Sequence, residues 1–185
     1  LLGHLLQTAV ALAPLENLKK HPPLAVVATG GYGRGELNAQ SDIDIQFLCS
    51  ENLLKASGPH EYLKSVTDTI LYTLWDVGLK VGHAVRRVTD CVEEANKDMQ
   101  SKTALIESRL VAGDAGLFAA MEQAVQAKCV TPHVDKYIAA RLEDQAERRA
   151  KFGDAVTMQE PNIKNGCGGL RDYQNLRWMM HFKLG

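Results

Sequence analysis

Cysteine is scarce in this 185-residue chain, and its four copies, Cys49, Cys91, Cys129 and Cys167, are scattered far apart. No Cys-x-x-Cys pair and no neighbouring His gives the spacing of a zinc site. A chain this large and this poor in Cys does not depend on a disulfide framework, so a reducing, cytoplasmic compartment is expected. Excess charge of either sign is lacking too. There are 21 basic against 22 acidic residues, a net charge of −1. That balance argues against a protein that grips nucleic acid by neutralising phosphates, and leaves room for a small anion at a focused site. No apolar run approaches the ~20 residues of a membrane span. Leu1 to Leu12 is apolar and helical in pattern but has neither the basic region nor the cleavage site of a signal peptide. With no initiator Met, and with Gly185 directly after an apolar helix, both ends are expected to be cuts in a longer protein. What is present is 45% apolar residues, enough for one domain or for a catalytic domain with a helical annex.

Pattern and breakers order the chain. Leu1 to Ala13 reads as a helix closed by Pro14, and Lys19 to Pro23 as a polar connection. Leu24 to Thr29 is a buried strand, Gly30 to Ser41 a loop with one helical turn, and Ile43 to Leu48 a second strand. His60 to Val77 carries a helical stripe that includes Leu74 and Trp75, stopped by Gly78. Leu79 to Arg87 alternates as a third strand with Leu79, Val81 and Val85 on one face. Everything beyond reads helical: Asp90 to Lys97, Lys102 to Val111, Asp114 to Lys128, a charged and solvated Val134 to Phe152, and Leu170 to Leu184. Met158 to Gly169 is a loop. Periodicity places Trp75, Trp178, Met179 and Met180 in a core, and His83 in a core or at its rim. The expected fold is α+β, a small sheet backed by helices over residues 1–100 with a helical domain over 101–185.

The chemistry concentrates in Gly30-Gly-Tyr-Gly-Arg-Gly-Glu-Leu and Ser41-Asp-Ile-Asp. Asp42 and Asp44, two apart at the start of a strand, project from one face. Carboxylates this close repel unless a cation lies between them, and hard oxygen ligands suit Mg²⁺ with substrate phosphates completing its shell. Two such ions about 4 Å apart clamp the attacking and leaving oxygens of an in-line phosphoryl displacement. Gly30, Gly31, Gly33 and Gly35 let backbone N–H groups approach a polyphosphate, while Arg34 and Ser41 add a charged fork and a hydroxyl. Alone, a glycine cluster is more often a turn and Asp-x-Asp more often a solvated strand edge. Together, with Ile43 and Ile45 alternating into a core, they specify a nucleoside triphosphate and its metals. The loop is not a Walker A motif, for no Gly-Lys-[Ser/Thr] ends it. Nor is it a dinucleotide fingerprint, since Glu36 takes the last Gly position.

Gly30-Gly-x-Gly-Arg-x-Glu-Leu followed by Ser41-Asp-Ile-Asp resembles the signature of the DNA polymerase β-type nucleotidyltransferase superfamily. The Gly-Tyr-Gly-Arg version is similar to the bacterial PII-protein uridylyltransferases. Leu74-Trp-Asp-Val-Gly-Leu-Lys-Val-Gly-His-Ala-Val-Arg86 resembles that family's third-strand region, and Glu160-Pro-Asn-Ile-Lys-Asn-Gly-Cys-Gly-Gly-Leu-Arg-Asp172 its helical-domain motif. The likeness runs from about residue 24 to the end of the chain, and simple relatives of the polymerase fold lack the last motif.

The resemblance implies transfer of UMP from UTP to a tyrosine of the PII signalling protein, with release of pyrophosphate. Asp42 and Asp44 would be the catalytic metal ligands for Mg²⁺, and Gly30, Gly31, Arg34 and Ser41 would hold the triphosphate. Complete family members carry a His-Asp hydrolase domain that removes the UMP. None of the six His here is followed by Asp, so the chain is expected to add UMP and not to remove it. The loop Asn162 to Asp172 reads either as a plain turn before a helix or as an anion site at its N-terminus. If it faces the cleft, Lys164 and Arg171 reach the nucleotide. The third strand carries no acid. Gly82 stands where a third carboxylate would be expected, and Asp98 and Glu107 are the alternative sources. A tyrosine hydroxyl, with a pKa near 10, needs such an acid less than a sugar hydroxyl does. The competing readings are an adenylyltransferase acting on glutamine synthetase, a relative joined to cyclic-nucleotide-binding modules, and a regulatory module without catalysis. No nucleic-acid or membrane partner is expected.

Overall fold

The structure, a computed structural model, describes residues 1–13, 22–38, 40–54, 57–155 and 159–185. Most of the expected Lys19–Pro23 connection, and Met158 at the start of the expected loop, lie outside these residues. The chain divides into two compact units, Leu1–Gln126 and Ala127–Gly185.

The first unit is a four-stranded mixed sheet with helices on both faces. Its elements are α1 (Leu2–Leu12), β1 (Leu24–Ala28), α2 (Gly30–Gly33), β2 (Ile43–Cys49), α3 (Ser57–Asp76), β3 (Val81–Arg87), α4 (Val88–Lys97), α5 (Met99–Ile106), β4 (Arg109–Gly113) and α6 (Ala115–Val125). The strand order is β3-β2-β1-β4. β1 runs antiparallel to both β2 and β4, and β2 runs parallel to β3. β1 is buried on both faces, which explains its unbroken Leu-Ala-Val-Val-Ala run. On one face, Leu6 and Ala9 of α1 and Val66, Ile70 and Leu74 of α3 close a core over Val26, Ile45 and Phe47. Against the other face lie α4 and α6, where the Gln46 amide donates to Cys91 Sγ at 3.1 Å.

Three expectations need correcting here. The helix read over Lys102 to Val111 ends at Ile106, and the chain re-enters the sheet as β4, paired with β1 from Ala25↔Gly113 to Ala28↔Arg109. Because β4 completes the sheet and α6 packs on β1, the first unit runs past residue 100 to Gln126. Trp75 is not core: it is 43% exposed, edge-on to Tyr72 and to His83 on the outer strand β3. His83 is accordingly at the rim.

The second unit pairs α7 (Val134–Phe152) with α8 (Leu170–Leu184). Its centre holds Tyr137 stacked on Phe182 at 3.7 Å and, beside Trp178, the buried Arg141, whose guanidinium donates to Asn175 Oδ1. The charged α7 is therefore not solvated throughout. Met180 is exposed rather than in a core.

Candidate active site

Topology gathers the site at one end of the sheet. β1 leaves this end and β2, β3 and β4 enter it, as the registers Ala28↔Ile45, Ala28↔Arg109 and Asp44↔Gly82 show. The chain turns from β1 directly into α2, pinned to β2 by Thr29 N–H donating to the Asp44 carbonyl at 3.0 Å. The glycine segment is thus held beside the first residues of β2, where Asp42 and Asp44 stand.

Both acids are exposed. The Asp44 carboxyl is nevertheless held above the usual carboxylate range, first by partial desolvation and then by the charge of Asp42. That coupling is the like-charge repulsion of two neighbouring carboxylates. Asp44 lies between two glycines. A Cβ at Gly30, whose φ is +56°, would stand 3.2 Å from Oδ2, and one at Gly82 only 2.6 Å from Oδ1. The second distance is closer than a Cβ can approach, so the Asp44 carboxylate takes the space that a side chain at position 82 would fill. A side chain at that place on β3 would require the Asp44 carboxylate to turn aside.

The two alternative sources of a third acid have other duties. Asp98 caps α5 by accepting from Ser101 N–H at 2.6 Å. Glu107 accepts from Arg34 Nη1 at 2.5 Å. Among the described residues, no three or more His, Cys, Asp or Glu side chains form a metal-binding group. Asp42 and Asp44 would offer a metal two carboxylates beside the glycine segment. This fits Mg²⁺, which keeps most of its shell for water and phosphate oxygens.

Arg34 follows α2 and is largely buried. Its Nε also donates to Glu36 at 2.8 Å, so much of its guanidinium is engaged within the protein. Burial opposes its charge, but Glu36 and Glu107 more than offset this and raise its pKa. Ser41 is exposed, its N–H donating to the Asn38 carbonyl at 3.0 Å. Gly31 has room: a Cβ there would meet the Glu36 carbonyl at 3.7 Å and Arg34 Nη2 at 3.8 Å.

Lys164 and Arg171 belong to the second unit. Arg171 donates to Gln174 Oε1 at 3.0 Å and lies over the Trp178 ring. The loop before α8 is internally knit. Asn162 Oδ1 accepts from Lys164 and Asn165 N–H, and Asp172 accepts from Gln145, Arg148, Arg149 and the Gly168 N–H. Burial works against ionisation of Asp172, yet these donors hold its pKa below the usual range. Within its own unit the motif is a structural knot.

Sequence reasoning passed over Arg109, which donates to the Tyr32 and Gly33 carbonyls at the end of α2 and lies 5.4 Å from the centre of the Tyr32 ring. It gave Glu107 a different part, as a possible metal ligand. Neither pairing has a local signal, since more than 70 residues separate the partners.

The fold and site together define a nucleotidyltransferase-type α+β unit followed by a helical one. Comparison with known proteins narrows this. A family described as GlnD PII-uridylyltransferase matches residues 136–183, and one described as glutamate-ammonia ligase adenylyltransferase matches residues 4–71. The chain is 39% identical over 96% of its length to a bifunctional uridylyltransferase/uridylyl-removing enzyme of Rhodospirillum rubrum. It is 39% identical over 95% to that of Azospirillum brasilense, and 40% over 86% to that of Rhodopseudomonas palustris. The chain is thus similar along most of its own length to bifunctional uridylyltransferase/uridylyl-removing enzymes, and spans 16–18% of the length of these relatives.

Proposed function

We propose that this chain is the nucleotidyl-transferring part of a PII uridylyltransferase, moving UMP from UTP to a tyrosine hydroxyl of the PII protein and releasing pyrophosphate. The observation that carries the reading is Asp42 and Asp44 at the mouth of β2 beside the glycine segment, in a chain about 40% identical to uridylyltransferases along most of its length.

In the reaction, the tyrosine oxygen bonds to the α-phosphorus as the bond to the bridging oxygen breaks. Pyrophosphate leaves, and the phenolic proton passes to solvent. Asp42 and Asp44 would hold Mg²⁺, which neutralises the phosphates and favours the ionised acceptor hydroxyl. The backbone of Gly30 and Gly31, the Ser41 hydroxyl and the Arg34 charge would bind the triphosphate. Positioning and electrostatics do most of the work in such chemistry. With Gly82 opposite Asp44, the acceptor needs little help from a third acid, since a phenol ionises near pH 10. We also assign Lys164 and Arg171 to nucleotide binding, as the resemblance implies. A nucleotide substrate and the reduced cysteines accord with a cytoplasmic setting, and among the described residues no helix is long and apolar enough to cross a membrane.

Adenylyl transfer to glutamine synthetase is the second reading, favoured by the match of the adenylyltransferase family to residues 4–71, which contain the whole acid and glycine site. Competition between UTP and ATP for Mg²⁺-dependent binding, followed by calorimetry, separates the two. Preference for UTP supports uridylyl transfer, and preference for ATP overturns it.

A further inference from the structure

The triphosphate reading leaves unexplained how so glycine-rich a segment keeps one conformation. Five contacts from Glu107, just after α5, and Arg109, the first residue of β4, answer this. A Cβ on Gly33 would stand 2.2 Å from the Glu107 carbonyl oxygen, so the α2 backbone lies directly on that of Glu107. Arg34 Nη1 donates to Glu107 Oε2 at 2.5 Å, with both side chains largely buried. Arg109 Nη2 donates to the Tyr32 carbonyl at 3.1 Å and its Nε to the Gly33 carbonyl at 3.3 Å. The same guanidinium lies over the Tyr32 ring. The wall behind the glycine segment is therefore built from residues 107–109.

Arg34 has a particular orientation as a result. Its Nε edge is taken by Glu36 and its Nη1 by Glu107, while Nη2 lies on the Gly31 side, 3.8 Å from where a Cβ of residue 31 would be. A guanidinium has five donors in a rigid fork, so fixing two of its nitrogens fixes the direction of the third. We propose that Glu107 is a positioning residue for nucleotide binding: it holds Arg34 so that Nη2 is directed to the Gly31 side of the segment, where the triphosphate lies. Glu107 then acts through Arg34 and is not a metal ligand. The inference rests on the reading that the glycine segment binds a triphosphate.

A double-mutant cycle on the chain, read by calorimetric binding of Mg·UTP and, separately, of Mn²⁺ without nucleotide, tests it. Glu107→Ala should weaken Mg·UTP binding about ten-fold, within the range that misplacing a positioning group costs, and leave Mn²⁺ binding unchanged. In an Arg34→Ala background the same change should cost no more than two-fold, because the residue it acts through is gone. Glu107→Gln, which keeps an acceptor for Arg34, should lose less than Glu107→Ala and serves if the alanine variant does not fold. Weakened Mn²⁺ binding would make Glu107 a metal ligand and overturn the proposal. So would wild-type Mg·UTP affinity in Glu107→Ala, or equal losses in both backgrounds. Asp44→Asn is the control for the underlying reading: if it binds Mn²⁺ as the wild type does, the metal-site assignment fails, whatever the Glu107 cycle shows.

Discussion

Asp44 has its carboxylate where side chains at two neighbouring positions would otherwise stand. Its carboxylate rests over Gly82 and beside Gly30, while Asp42 and partial desolvation raise its pKa. A raised carboxyl pKa means that ionised Asp44 detracts from folded-state stability once pH climbs past its folded value. Asp44→Asn should therefore abolish nucleotidyl transfer while leaving the metal-free melting temperature at pH 7 unchanged or slightly higher. Any gain should fade as pH falls through the acid range; a marked drop in melting temperature would make the residue structural. The glycines divide in the same way. Gly31→Ala has space and should fold normally while weakening triphosphate binding. Gly33→Ala drives a Cβ into the Glu107 backbone and should cost about 1–3 kcal/mol of stability, the usual range for overpacking, measured by urea unfolding. Equal stability of the two variants would contradict this division. The acid pair and the glycines were legible because their spacing is local. The partners of Arg34 were not, because Glu107 reaches it from 73 residues away.

Among elements, β1, β2 and α3 were readable from the pattern because each buries a run or stripe of apolar residues. By contrast β3, none of whose residues is buried, and α8, which buries Gln174 and Asn175 beside Trp178 and Phe182, were readable from alternation and from flanking glycines. The stretch from Lys102 to Val111 was not. Leu105, Ile106, Leu110 and Val111 suit a helix and a short half-buried strand equally, and periodicity cannot separate the two at this length. The pairing of β4 with β1 decided it. Trp75 misled for a related reason: it follows the α3 stripe but falls at the helix end, beside the outer strand. The loop before α8 carries its own prediction. Asp172 gathers donors from α7 and from Gly168, and its lowered pKa means that it adds stability above the unfolded carboxyl pKa of about 4. That contribution is lost as pH falls through its lower folded value. Asp172→Asn should cost about 1–3 kcal/mol at pH 7 and speed hydrogen exchange at the Gly168 amide. The penalty should shrink below pH 4. A penalty independent of pH would show that charge is not what Asp172 contributes.

At the scale of the molecule, two units carry different family likenesses: adenylyltransferase over residues 4–71 and PII-uridylyltransferase over residues 136–183. The acid and glycine residues lie wholly in the first unit, and the proposed roles of these residues suit uridylyl and adenylyl transfer alike, so their geometry does not name the base. Identity of about 40% to uridylyltransferases over nearly the whole chain favours UTP. The most direct test is transfer of label from α-labelled UTP to PII protein by the protein that carries this chain, as wild type and as Asp44→Asn. The account predicts Mg²⁺-dependent label on a PII tyrosine with the wild type, little from α-labelled ATP, and almost none with Asp44→Asn. Labelling from ATP in preference to UTP, or undiminished transfer by Asp44→Asn, would contradict it.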